Sequence, residues 1–161
     1  MGQAPFKRQI VNGRSTLLAT LIVLTPALVW AHVTVRPRES KTSALEHYTV
    51  RVPTEGAVST TSLELEIPAG VTVTEVPSPR QATSDTKRVN GRIVAIVWTQ
   101  EIPPKEAAEF VFTARNPSAG TEIAWKAHQR FADGTTVDWI GSPGGKRPAS
   151  VTRLMPASAS R

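Results

Sequence analysis

The chain reads as an all-β protein, an immunoglobulin-like β-sandwich of about seven to nine strands. Three observations predict it. Past residue 31 the sequence is a series of short stretches in which apolar and polar residues alternate. Those stretches are rich in Val, Ile, Thr and aromatics, and Pro and Gly signals cut them apart. No segment sustains a helical repeat. A small barrel is the alternative arrangement for such strands.

Taken in order, strands are predicted near His32–Arg36, Glu46–Val52, Ser62–Ile67, Val71–Glu75, Arg92–Trp98, Ala108–Ala114, Ile123–Phe131, Thr135–Ile140 and Ser150–Met155. Turn residues separate them at Pro53–Gly56, Pro68-Ala69-Gly70, Asn90-Gly91, Pro103-Pro104, Asn116–Gly120 and Asp133-Gly134, the last a strong hairpin signal. The polar segment Gln81–Val89 breaks the pattern and is expected to be an exposed loop. Gly141 to Pro148 is rich in Gly and Pro, and a polar tail follows Pro156.

The segment before residue 32 has the order of a secretory leader. Lys7, Arg8 and Arg14 give a basic start without acids, Ser15 to Val29 is an apolar run interrupted by Pro26, and Ala31 puts a small residue before the cut. The run is shorter than the roughly 18 residues a spanning helix needs, and Pro26 would disturb such a helix. Cleavage after Ala31 is therefore expected, dividing the chain into a leader at 1–31, one domain at 32–156 and a tail at 157–161. About 130 residues suffice to bury a core. With no apolar stretch closing the chain, the mature protein is expected to be soluble.

The formal charge of +6 includes three basic leader residues; without them, sixteen Lys and Arg face thirteen Asp and Glu. That surplus is too small and too scattered for a nucleic-acid surface. There is no Cys, so no disulfide framework holds the domain, and Met155 is the one methionine past the leader. Soft ligands for Cu(I) are thus missing, and a metal site here has to use nitrogen and oxygen. Cysteine nucleophiles are absent, as are a G-x-S-x-G elbow, an H-E-x-x-H zinc motif and a phosphate-binding glycine loop. The acids of LELE and the basic pair Lys87-Arg88 read as solvated faces.

Cleavage would make His32 the first residue. An N-terminal histidine is a chelate, because its free α-amine and its imidazole can close a ring on one ion, whereas an internal histidine offers only an amide. In the strand around Tyr48, alternation puts Glu46, Tyr48, Val50 and Val52 on the core face and His47, Thr49 and Arg51 outside. Glu46 then needs a partner or a metal, unless it turns to water at a frayed end. Trp125, Ala127, Gln129 and Phe131 alternate with Lys126, His128 and Arg130, which assigns His128 to a basic outer face. Trp139, where a strand runs out into a Gly/Pro loop, reads either as an edge-of-core filler or as a ring covering a cation.

In HVTVRPRES behind a leader, LEHYTVRVP, LELEIPAGV and FADGTTVDWIG, the chain resembles the YcnI-like copper-binding domain family of exported bacterial proteins. The likeness spans nearly all of the chain after residue 31. It implies a β-sandwich that binds Cu(II) through a monohistidine brace: His32, a carboxylate matched by Glu46 in LEHYT, and a tryptophan matched by Trp139 in DWIG. Leu45 stands where an aromatic is common in the family, and the C-terminal membrane anchor of some members has no counterpart here.

Two nitrogens and a carboxylate oxygen suit Cu(II) better than Zn(II). Both nitrogens must be neutral to bind, so affinity should fall as pH drops below neutrality. The function expected is a non-enzymatic copper-binding protein of the periplasm, or a secreted one, serving copper acquisition, trafficking or homeostasis. Its partners would be the copper ion and other copper-handling proteins. Alternatives are a copper oxidoreductase, which would ask for a second histidine, and a metal-free interaction module.

Overall fold

The computed structural model describes residues 1–2 and 32–157. The expected leader and its cleavage point lie outside the described residues, apart from residues 1–2, as does the end of the tail.

Twelve strands are described: β1 (Thr34–Arg36), β2 (Glu39–Lys41), β3 (Leu45–Pro53), β4 (Thr60–Glu66), β5 (Thr72–Glu75), β6 (Thr83–Val89), β7 (Arg92–Ile102), β8 (Ala107–Arg115), β9 (Glu122–Trp125), β10 (Ala127–Phe131), β11 (Thr136–Trp139) and β12 (Ser150–Met155). They form a four-stranded sheet ordered β1-β3-β8-β5, a five-stranded sheet ordered β11-β10-β4-β7-β6 and a three-stranded sheet ordered β2-β12-β9.

One apolar cluster joins the sheets. Tyr48, Val50 and Val52 of β3 and Phe110 and Phe112 of β8 meet Leu63 and Leu65 of β4 and Ile96 and Trp98 of β7, while Trp125 and Leu154 close one end. The rings organise it: Trp98 stacks on Phe110 with centroids 5.2 Å apart and planes 5° from parallel, and Tyr48 meets Trp125 edge-on at 4.8 Å. Alternation in β3 is as the sequence predicts, with His47 and Arg51 exposed between buried Tyr48, Val50 and Val52.

Two expectations need correction. Gln81–Val89 is not a loop, because most of it forms β6, paired antiparallel with β7 through a turn in which Asn90 and Gly91 take φ of 51° and 78°. β6 is an edge strand, so it gains little from apolar faces, and its charges discourage pairing with other chains. Ile123–Phe131 is not one strand but two: β9 pairs with β12, and β10 pairs with β4 and β11. Inward alternation of Trp125, Ala127 and Gln129 continues across the break, so the chain changes sheets without disturbing its period. The short strand β2 carries one buried residue, Ser40, and pairs in parallel with β12.

Candidate metal centre

His32 precedes β1, whose register against β3 runs from Thr34 opposite Arg51 to Arg36 opposite Thr49. The histidine end of β1 therefore lies at the Pro53 end of β3. Trp139 arrives from the other sheet as the last residue of β11, opposite Ala127 of β10. The hairpin that delivers it is closed by a Phe131 N–H bond to the Thr135 carbonyl at 2.9 Å and by Gly134, whose φ of 84° suits a residue without Cβ. Asp133 Oδ1 accepts from the Thr135 hydroxyl at 2.7 Å and its N–H at 2.9 Å, and these bonds hold the Asp133 carboxyl below its ordinary range.

The two rings meet. His32 and Trp139 have centroids 5.3 Å apart with planes inclined at 59°. His32 also lines an open cleft of about 470 Å³ with Thr34, Arg38, Pro148 and Ser150. Ser150 ties the cleft to the strand beside His32, its hydroxyl accepting the Val35 N–H at 2.9 Å. Beyond Trp139, Gly141 bridges to Pro148, and a Cβ at 141 would come within 2.9 Å of the Arg147 carbonyl oxygen. That close approach returns the chain to Ser150.

Glu46 is not brought to this pair. It stands near the opposite end of β3, beside Ala114 of β8. From the position facing His32 to Glu46 is about seven residues of strand, roughly 23 Å at about 3.3 Å per residue. One ion with bonds of about 2 Å cannot reach both. The partner that Glu46 needs is instead the Ser40 hydroxyl, which donates to its Oε2 at 2.6 Å. Asn116 Nδ2 donates to that hydroxyl at 2.9 Å, and Asn116 Oδ1 accepts from Tyr48 at 2.6 Å. Burial and the Glu46 charge push the Tyr48 hydroxyl well above its ordinary range, against the smaller pull of the Asn116 bond. This end is a latch between β2, β3 and the segment after β8.

His47 faces outward as expected, its Nδ1 within 3.0 Å of the Thr113 hydroxyl. His128 does not sit among bases: its Nδ1 is 2.7 Å from Asp138 and its Nε2 2.8 Å from Glu66. Burial works to lower its pKa, and the bonds and charges of Asp138 and Glu66 outweigh burial and raise it. The acids of LELE and Lys87 face water as expected, and there Lys87 Nζ lies 2.7 Å from Glu64.

Among the described residues no group of three or more His, Cys, Asp or Glu side chains is placed to hold a metal ion. A metal at His32 would thus have to draw on a donor of another kind. The α-amine that cleavage would create is one, and it lies on the same residue as the imidazole.

The sequence pattern overlooks Gln129, a 1 % exposed side chain whose amide bonds both Trp139 and the end of β3. Its signal was an amide on an otherwise apolar inward face, which demands partners.

Residues 32–158 match the model of a family described as a domain of unknown function, DUF1775. The copper-binding protein CutI of Bacillus subtilis strain 168 is 34% identical over 131 residues, which are 79% of this chain and 64% of that protein. The chain thus spans less than two thirds of that relative. A crystal structure of an uncharacterized Nocardia farcinica protein with an immunoglobulin-like fold superposes with a TM-score of 0.65 at 25% identity, covering 76% of this chain and 97% of that one. The cohesin module of a Clostridium perfringens family 33 glycoside hydrolase shares the fold at a TM-score of 0.50 and 17% identity, covering 78% of this chain and 95% of that module. The sandwich is immunoglobulin-like, as the strand pattern predicts.

Proposed function

The chain belongs to the DUF1775 family, the YcnI-like family that it resembles from HVTVRPRES to FADGTTVDWIG, and from that membership we propose that it is an exported copper-binding protein holding Cu(II) at His32. The observation that carries the proposal is the meeting of His32 with Trp139, 5.3 Å between ring centroids, at the start of the segment that matches the family. Removal of the leader turns the His32 amide nitrogen into an amine. Amine and imidazole then grip one face of the ion, and the indole of Trp139 lies against it, where its π-face attracts a cation.

With Glu46 at the far end of β3, the oxygen donor has to come from the Pro53 end. Glu55, two residues beyond Pro53, is our candidate there. Its Gln variant should bind Cu(II) more weakly.

Binding and transfer of copper fit this site better than oxygen chemistry, which would ask for a second histidine. Both other histidines are committed elsewhere, His47 with Thr113 and His128 with Glu66 and Asp138. The protein would work outside the cytoplasm, in the periplasm or secreted, handing copper to other copper-handling proteins.

Calorimetric titration of protein beginning at His32 should give one tight Cu(II) per chain. His32→Ala, or one extra residue ahead of His32, should abolish it. Unchanged affinity in the extended form would overturn the chelate.

A further inference from the structure

Trp139 closes an edge strand whose one strand neighbour is β10, so backbone pairing alone leaves the direction of its half-buried ring open. A single side chain supplies that direction. Gln129 Oε1 accepts the Trp139 indole N–H at 3.0 Å, while its Nε2 donates to the Pro53 carbonyl at 2.8 Å and to the Thr60 hydroxyl at 2.7 Å. Thr60 is in turn 2.7 Å from the Thr54 hydroxyl.

The chemistry of the partners fixes the amide. Pro53 offers only a carbonyl oxygen, which calls for an N–H, and an indole offers only an N–H, which calls for an oxygen. A flipped amide would set two donors against each other at Trp139 and two acceptors against each other at Pro53. Gln129 is buried, so water cannot repair either mismatch. The oxygen has one direction, and the polar edge of the indole is turned toward β10 while the ring keeps its tilt to His32. Pro53 also ends the part of β3 that His32 faces, so one amide spans from one sheet to the other across the site.

We infer that Gln129 is the positioning residue of the metal centre, setting the indole of Trp139 against His32 through its own bond to the end of β3. The inference rests on the copper reading above.

Its test is a double-mutant cycle on protein beginning at His32, with Cu(II) alone as the probe and both calorimetry and electron paramagnetic resonance as readouts. Gln129→Met should weaken Cu(II) binding by about tenfold, the scale of one lost buried hydrogen bond, and alter the resonance spectrum. Trp139→Phe keeps a ring and removes the N–H, and should change affinity and spectrum in the same direction. The double variant should be little worse than either single one. Should Gln129→Met fail to fold, Trp139→Phe reads the same bond from the other side.

The metal-free protein gives an independent readout: the indole N–H of Trp139 should exchange slowly with solvent in wild type and quickly in Gln129→Met. Wild-type affinity and spectrum in a folded Gln129→Met protein, or losses that simply add, would overturn the role of Gln129 and leave copper binding standing. A wild-type protein that takes up no Cu(II) would overturn both.

Discussion

On the proposed reading, His32 becomes a two-nitrogen ligand only through cleavage at its own backbone, and the Trp139 ring beside it then sets how firmly an ion is kept. A cation against an indole face gains about 1–2 kcal/mol when water is excluded. Trp139→Ala should therefore weaken Cu(II) binding by about five- to thirtyfold, measured by competition with a chelator of known affinity. Glu46→Gln carries the opposite expectation: affinity for Cu(II) should stay at the wild-type value, because its carboxylate serves Ser40 at the other end of β3. The strand alternation correctly marked Glu46 as an acid in need of a partner, and a metal and a serine hydroxyl answer that need equally well in sequence.

Between elements, the edge strand β11 is held by an ionic rung as well as by its ladder. His128 stands between Asp138 of β11 and Glu66 of β4, and its net pKa shift is upward. A base whose folded value lies above its unfolded one stabilises the fold fully below the unfolded value and loses that contribution as pH rises through the folded one. The difference in melting temperature between wild type and His128→Ala should accordingly be largest near about pH 6 and shrink toward alkaline pH. A difference that grows with pH would contradict the rung. Lys87 is open to water, with 58% of its side chain exposed, so Lys87→Ala should change stability by less than about 1 kcal/mol.

What could be read of these elements follows from burial. β3, β7 and β8 pack an apolar face and announce themselves by period, and the Asp133-Gly134 turn announces the β10–β11 hairpin. β6 lies at an edge with charges on it and looks like a loop. The passage from β9 to β10 leaves no mark because the inward face never changes. The place of Trp139 at a strand end was legible, whereas its meeting with the ring of His32 depends on how two sheets pack. Gln129 was not, since its role depends on a carbonyl in another sheet.

At the scale of the whole molecule, the beginning and the end of the folded chain are sewn together. Thr152 of β12 accepts the indole N–H of Trp125 at 3.0 Å and donates to the Pro37 carbonyl at 2.8 Å. The bond to Trp125 is interior, for Thr152 is fully buried and Trp125 nearly so, and the bond to Pro37 is half-buried. Thr152→Val keeps the shape and leaves the buried indole donor without its partner, which should cost about 1–3 kcal/mol in a denaturant titration. Phe112→Ala, which empties the middle of the aromatic cluster, should cost about 3–5 kcal/mol.

β12 also fixes what precedes it by more than a hundred positions: Val35 N–H bonds Ser150, Arg153 N–H bonds the Arg38 carbonyl, and Thr42 N–H bonds the Met155 carbonyl. Synthesis runs the other way along the chain, so the histidine emerges first and the strand that seats it emerges last. Until that final strand docks, the segment that follows His32 lacks the bonds to Ser150 and Arg153 that hold it. On the copper reading proposed above, a chain that carries the histidine but lacks β12 should bind Cu(II) more weakly than the whole domain.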